Sequence, residues 1–201
     1  INVFNQPKCS FRYRGFVRST SHLTLTSVIS VLSRANYLAL SATSLTLRPT
    51  TMNHSPVALV TGASSGIGKA AAEAFFQNGW NVVIADVNDA DGQALASALS
   101  PDGSRAVFIH CDVSRADHNH AAVTLATSTF GRLDAAVNNA GIGGELAQTA
   151  NYPIESWNTV IAVNLTGVLL GMQAQIPAMR ASGGGSIVNI SSILGQVGFQ
   201  G

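Results

Sequence analysis

The chain has 201 residues, 46% of them apolar and 10% charged, at a formal net charge of +1, which bounds it to one or at most two domains with a packable core. Residues 52–201 hold all ten acids against five basic side chains and so stand at −5, which argues against a nucleic-acid-binding surface. Two separated cysteines, Cys9 and Cys111, exclude a disulfide framework, and the lack of any run of about 18 uninterrupted apolar residues gives no support to a membrane span.

Residues 1–51 come first and read as a leader outside the fold. They carry six basic side chains and no acid, are rich in Ser and Thr, and begin with Ile1; the first methionine is Met52, just ahead of the first strand. Two readings fit. One is a transit peptide, Arg- and Ser-rich and poor in acids, which would place the protein in mitochondria. The other, preferred here, is upstream sequence translated in frame, with a working protein that starts at Met52 and stays in the reducing cytoplasm. No face of the segment collects enough apolar surface to dock, so disorder or weak structure is expected there.

From Val57 onward, short apolar runs alternate with helical patterns. Strands are expected at Val57–Thr61, Asn81–Ala85, Ala106–Cys111, Leu133–Val137 and Ser186–Ile190, because near-continuous apolar runs suit strands buried on both faces. Helices are expected between them, at Gly66–Asn78, Asp89–Leu99, Arg115–Phe130 and Pro153–Arg180. In the first, Ile67, Ala71, Ala74, Phe75 and Asn78 form the expected inward stripe and Gly79 the stop; in the last, Pro177 is expected to end or kink the helix. Such alternation with right-handed crossovers predicts an α/β fold, a doubly wound parallel sheet of order 3-2-1-4-5, over residues 52–201. Ligand should then lie beyond the C-terminal strand ends, near the switch between strands 1 and 4.

The loops at those ends carry the candidate site. Gly62, Gly66 and Gly68 follow the first strand and open a helix, so the backbone can turn sharply, approach a diphosphate and present N–H groups to it. Asp86, about 20 residues on, fits a carboxylate that accepts both adenosine-ribose hydroxyls and repels a 2′-phosphate. Neither Ser65 nor Val87 is a cation that would clamp such a phosphate, so NAD is favoured over NADP. The alternative for Asp86 is a plain strand-end acid. Asp112, after the third strand, either receives the adenine amino group or caps the helix near Ser114. Asn138-Asn139-Ala140-Gly141 either bridges strands and borders ribose or is simply a turn. Asn164 places an amide on the apolar stripe Trp157, Val160, Ile161 and Val168; burial there demands partners, and structural satisfaction and a catalytic water site stand level. Ser191 and Ser192 end the last strand, as turn residues or as donors to a substrate oxygen. His118 and His120 face different sides of a helix start and read as solvated residues rather than as a metal site.

Taken in order, Thr61-Gly62-x3-Gly66-Ile67-Gly68, Asp86, Asp112, Asn138-Asn139-Ala140-Gly141, Asn164 and Asn189-Ile190-Ser191-Ser192 resemble the short-chain dehydrogenase/reductase family, single-domain branch, over Met52 to Gly201. The resemblance implies a Rossmann-like fold and hydride transfer between a secondary alcohol or ketone and NAD(P). It implies that Gly62, Ser64, Ser65, Gly66, Ile67 and Gly68 cradle the pyrophosphate. Asp86 and Val87 would select NAD, Asp112 and Val113 would hold adenine, and Asn139, Ala140 and Gly141 would line ribose. Asn164 would keep a water in the proton relay, Ser192, preferred to Ser191, would hold the substrate oxygen, and the parent enzyme would be a homo-oligomer.

One departure from the family pattern is decisive. The family's Tyr-x-x-x-Lys pair follows the serine by roughly a dozen residues. Only nine residues follow Ser192 and none is Tyr or Lys, and Tyr152 precedes the fourth helix and is no substitute. The expectation is therefore a C-terminally truncated enzyme, inactive alone and prone to aggregate through its unpaired last strand. The rival is a dinucleotide-binding sensor or scaffold without catalysis; a weaker third reading is an epimerase or dehydratase on a related fold.

Overall fold

The computed structural model describes residues 55–197, so the leader expected at residues 1–51 lies outside the described residues. Five strands form one parallel sheet: β1 (Val57–Thr61), β2 (Asn81–Asp86), β3 (Ala106–His110), β4 (Ala135–Asn138) and β5 (Ser186–Asn189). Their order is β3-β2-β1-β4-β5, as the alternating pattern predicts. β1 sits in the middle and is buried throughout, which is why its five residues are all apolar or, in Thr61, hydrogen-bonded.

Register puts Leu59 opposite Val83 on one side and Ala136 on the other, and Val83 opposite Val107. This row packs under α3 (Ala116–Phe130) and α5 (Gly167–Ala181), whose Ala122, Val123, Ala126, Ala174 and Met179 close the larger apolar cluster. The alternate strand residues Ala58, Val60, Val82 and Ile84 face the other side. There α1 (Gly66–Gln77) and α2 (Asp89–Leu99) cover them with Ala72, Phe75, Leu95 and Ala96. Each buried Val, Leu, Ile or Phe contributes about 1.5–3 kcal/mol of transfer free energy, so the sheet core dominates stability.

Helix details correct four expectations. The inward stripe of α1 is Gly68, Ala72 and Phe75, one position out of phase from the expected one. Small residues let the helix sit close on the sheet, whereas Ile67 is 60% exposed and turns toward the C-terminal strand ends. Gly79 does end α1: the Gly79 and Trp80 N–H groups donate to the Phe76 and Phe75 carbonyls, closing the last turn.

The expected helix over Pro153–Arg180 is instead α4 (Ile154–Ile161), a π-helical turn (Ala162–Thr166) and α5, and Pro177 lies inside α5 without ending it. The stripe read as buried is not: Trp157 is 54% exposed and Asn164 is exposed at the centre of the π turn. By length, and by a window of mean hydropathy 1.4 within it, the continuous run Ile154–Ala181 is long and apolar enough to cross a bilayer. Its second half, however, packs on α3 and β4, as the core helix of a sheet protein does.

Candidate functional site

The loops after β1, β2, β3 and β4 converge at the switch point into one open cleft of about 540 Å³. Of the thirteen residues expected to hold a dinucleotide, twelve line it. Gly68 does not. It lies behind the β1–α1 loop, where a Cβ would overlap the Gly62 carbonyl oxygen and Asn139 Nδ2, so the close packing there needs a glycine.

The β1–α1 loop is shaped by Gly62 at φ +62° and Gly66 at φ +53°, in the left-handed region that glycine enters without strain. Ser65 starts α1 without a side-chain cap, and the first turn contains no acid, so the helix N-terminus presents uncompensated N–H groups and positive dipole to the cleft. Asp86 is 8% exposed at the end of β2. Its Oδ2 accepts the Ser64 N–H and its Oδ1 the Asn88 N–H, both at 2.9 Å. The carboxylate thus ties the glycine loop to the β2 end, with lone pairs left toward the cleft. Val87 lies beside it, exposed.

After β3, Cys111, Asp112 and Val113 line the cleft. Burial pushes the Cys111 thiol up to about 12, helped by the nearby Asp112 and Asp86 charges, so it stays a neutral wall. Asp112 Oδ1 accepts the Ser114 hydroxyl at 2.7 Å and the Ser114 N–H at 2.9 Å. The hydroxyl bond is the main reason its carboxyl lies below the ordinary range, with burial opposing. Asp112 thus shapes the turn ahead of α3 without capping the helix, whose N-cap position is Arg115. Asn119, buried in α3, donates to the Val113 and Arg115 carbonyls at 2.8 Å and secures the same turn.

The β4 end is stitched to its neighbours. Thr61 Oγ1 accepts the Asn139 and Ala140 N–H groups, and Asn139 Nδ2 donates to the Thr61 and Gly62 carbonyls. Asn138 turns away from the cleft: it donates to Asn189 Oδ1 on β5 at 2.8 Å and exchanges two bonds with Gln175 of α5. Its bridging role is the one realised.

Asn164 has the partners that its sequence context demands, but as an exposed clamp. Its Oδ1 accepts the Ile142 N–H and its Nδ2 donates to the Ile142 carbonyl, both at 2.9 Å. Ser192 caps a short 3-10 turn, its Oγ accepting the Leu194 N–H at 3.1 Å, while Ser191 is exposed beside it. Neither Asn164 nor Ser192 lines the cleft. Asn164 is joined to it through Val163 and Ile142, which do. Tyr152 holds the Glu145 N–H and Ser156 Oγ and takes no part in the cleft. Among the described residues, no three His, Cys, Asp or Glu side chains gather to hold a metal ion.

Sequence reasoning missed Cys111, Ile142 and Val163 as wall residues. Each adjoins a residue that was singled out, in Asp112, Gly141 and Asn164, so adjacency was the available signal.

A parallel doubly wound sheet with a glycine loop at its switch point defines a Rossmann-like domain. The family profile described as short chain dehydrogenase matches residues 56–201, and the chain belongs to that family. It is 44% identical over 144 residues to a cyclohexanol dehydrogenase of Acinetobacter sp. (strain SE19), covering 72% of this chain and 57% of the relative. It is 43% identical over 150 residues, with the same coverages, to a trans-4-hydroxycyclohexanecarboxylate dehydrogenase of Sinomonas cyclohexanicum. Among solved structures, levodione reductase superposes with a TM-score of 0.66 at 33% identity, over 72% of this chain and 57% of that one. The chain thus spans a little over half the length of these relatives.

Proposed function

We propose that the cleft binds a nicotinamide dinucleotide, NAD in preference to NADP, and that the protein is an oxidoreductase acting on a secondary alcohol or its ketone. Asp86 carries the reading. A nearly buried carboxylate, hydrogen-bonded to the glycine loop, stands at the cleft rim beside an uncapped helix N-terminus. That pairing accepts ribose hydroxyls next to a diphosphate and repels a 2′-phosphate.

The residues present fit that group. A Cβ at Gly62 would press on Ala140 Cα at 2.8 Å, so bare backbone is needed where the β1 and β4 loops cross. Gly62, Ser64, Ser65, Gly66 and Ile67 would hold the diphosphate, Asp112 and Val113 the adenine, and Asn139, Ala140 and Gly141 the second ribose. When bound, the nicotinamide supplies the hydride acceptor, or the donor in reverse. Ser192 accepts from Leu194 and so keeps its hydroxyl proton for a substrate oxygen. Asn164 fixes Ile142 at the cleft wall and retains one acceptor and one donor position for a water. The named relatives make alicyclic secondary alcohols the first substrates to try.

These 201 residues contain no Tyr-x-x-x-Lys, and proton transfer from the alcohol needs such a group. The chain as given should therefore bind nucleotide without turnover. Calorimetric titration with NAD⁺ and NADP⁺, followed by an NADH absorbance assay with cyclohexanol, tests both parts. Absence of heat with either nucleotide would remove the binding reading. Steady NADH production by this chain would refute the need for a Tyr-x-x-x-Lys pair.

A further inference from the structure

The start of α3 and the end of β3 each carry a histidine contact that the proposed chemistry does not use. The Asp112 backbone N–H points at His118 Nδ1, 3.1 Å away. A backbone N–H only donates, so Nδ1 must be the unprotonated, accepting nitrogen and the ring neutral, with its proton on Nε2. At the end of β3, His110 Nδ1 lies 2.7 Å from Asp89 Oδ1. A carboxylate only accepts, so there Nδ1 carries the proton. The two rings meet edge to face, with centroids 5.5 Å apart. The neighbouring imidazoles are thus held in opposite roles, and the accepting one is bonded to the backbone of a cleft residue.

We propose that His118 is a positioning residue for the adenosine end of the nucleotide site, holding the Asp112 backbone through a neutral imidazole and releasing it when protonated. This rests on the nucleotide reading of the cleft. Asp112 and Val113 are both wall residues, and three side-chain ties hold their turn: Ser114 on the Asp112 carboxylate, Asn119 on the Val113 carbonyl and His118 on the Asp112 N–H. Of these, only the His118 tie rests on a group that changes charge above the carboxylate range. Protonation turns its acceptor into a second donor facing the N–H, so the contact breaks. The charged and titratable groups around the ring are His110 and, through it, Asp89; the Asp112 carboxylate; and the Arg115–Asp117 ion pair on the same helix turn. A protonated ring is drawn toward the Asp112 and Asp117 carboxylates, which takes it off the backbone N–H.

The test is NAD⁺ affinity of the chain between about pH 8 and about pH 5.5, the span over which imidazoles change charge. The nucleotide itself does not titrate there. Wild type should weaken about fivefold on acidification, the worth of one hydrogen bond. His118→Asn sets Oδ1 where Nδ1 was: it should match wild type at the upper pH and stay flat. His118→Leu should be weak and flat throughout, and His110→Gln should keep the wild-type slope. Nitrogen-15 spectra of the histidines should show His118 as the Nε2–H tautomer at the upper pH. The slope surviving in His118→Asn, vanishing in His110→Gln alone, or an Nδ1–H tautomer at His118 would each overturn the proposal. Absence of NAD⁺ binding at the upper pH would instead remove the nucleotide reading and this inference with it; binding with unaltered variants removes the inference alone.

Discussion

Replacing Asp86 with alanine separates cofactor choice from loop integrity. The side chain does two things: it accepts the Ser64 and Asn88 N–H groups, and it offers its remaining lone pairs to the cleft. Loss of the first function loosens the glycine loop for every ligand alike and cancels in a ratio of affinities. Loss of the second does not cancel. NAD forfeits two hydroxyl bonds to a charged acceptor, each worth about 1.5 kcal/mol, or about 3 kcal/mol together. NADP forfeits about one such bond, and it also escapes a repulsion. A dianionic phosphate about 5 Å from a carboxylate costs about 1.7 kcal/mol even at the dielectric constant of water. NADP affinity should then stay near its starting value while NAD affinity falls roughly 100-fold, apart from the shared loop effect. Paired calorimetric titrations of wild type and Asp86→Ala with both nucleotides read this ratio, and far-UV circular dichroism checks the fold. An NAD-to-NADP ratio within about threefold of wild type would refute the assignment, because Asp86 is the only carboxylate besides Asp112 among the described residues that line the cleft.

Gly68→Ala sets a Cβ against the Gly62 carbonyl and Asn139 Nδ2, so the loop must shift; NAD⁺ binding should fall at least about tenfold and stability by about 1–3 kcal/mol in urea unfolding. The Cys111 thiol, raised from 9.0 to about 12, should resist iodoacetamide at about pH 8 by peptide mass spectrometry. Because folding favours the protonated form, its contribution to stability is full below pH 9.0 and is lost as pH rises toward about 12. Ser114→Ala removes the main cause of the depressed Asp112 carboxyl, so its carbon-13 titration should move upward. The depressed carboxyl stabilises the fold above the ordinary aspartate range and loses that contribution in acid, so the variant should be less acid-sensitive. Asn138→Leu strands both polar atoms of Gln175, which is 1% exposed, and should cost about 3 kcal/mol in the same urea assay.

Much of the architecture was legible because it rests on local pattern. β1, β2 and β4 are buried on both faces, so Val57–Val60, Val82–Ala85 and Ala135–Val137 read as the continuous apolar runs that central parallel strands present. The wall of the cleft was legible for a related reason. A doubly wound sheet sends the ends of β1 to β4 to one edge, so Gly62, Asp86, Asp112 and Asn139 converge whatever their exact side-chain contacts.

What escaped depends on packing between elements. Ile67 looked like a core residue because bulky apolar side chains usually turn inward, yet α1 approaches the sheet through Gly68 and Ala72, and that closeness rotates Ile67 out to the cleft. The π turn at Ala162–Thr166 escaped too. An apolar stripe at helical period gives no sign that one turn is wound wider, and a wider turn carries Asn164 off the stripe to reach both backbone groups of Ile142. His118 was read as a solvated helix-start residue on spacing alone. Its contact with the Asp112 N–H requires α3 to begin directly below the β3 loop, a relation of position that periodicity does not contain. The three cases share a cause: each side chain is turned by the close approach of a neighbouring element, so its role belongs to the tertiary arrangement. The cleft therefore has a floor set by chain topology and fittings set by packing. Ile67, Asn164 and His118 are where substitutions should alter ligand preference while leaving the sheet intact.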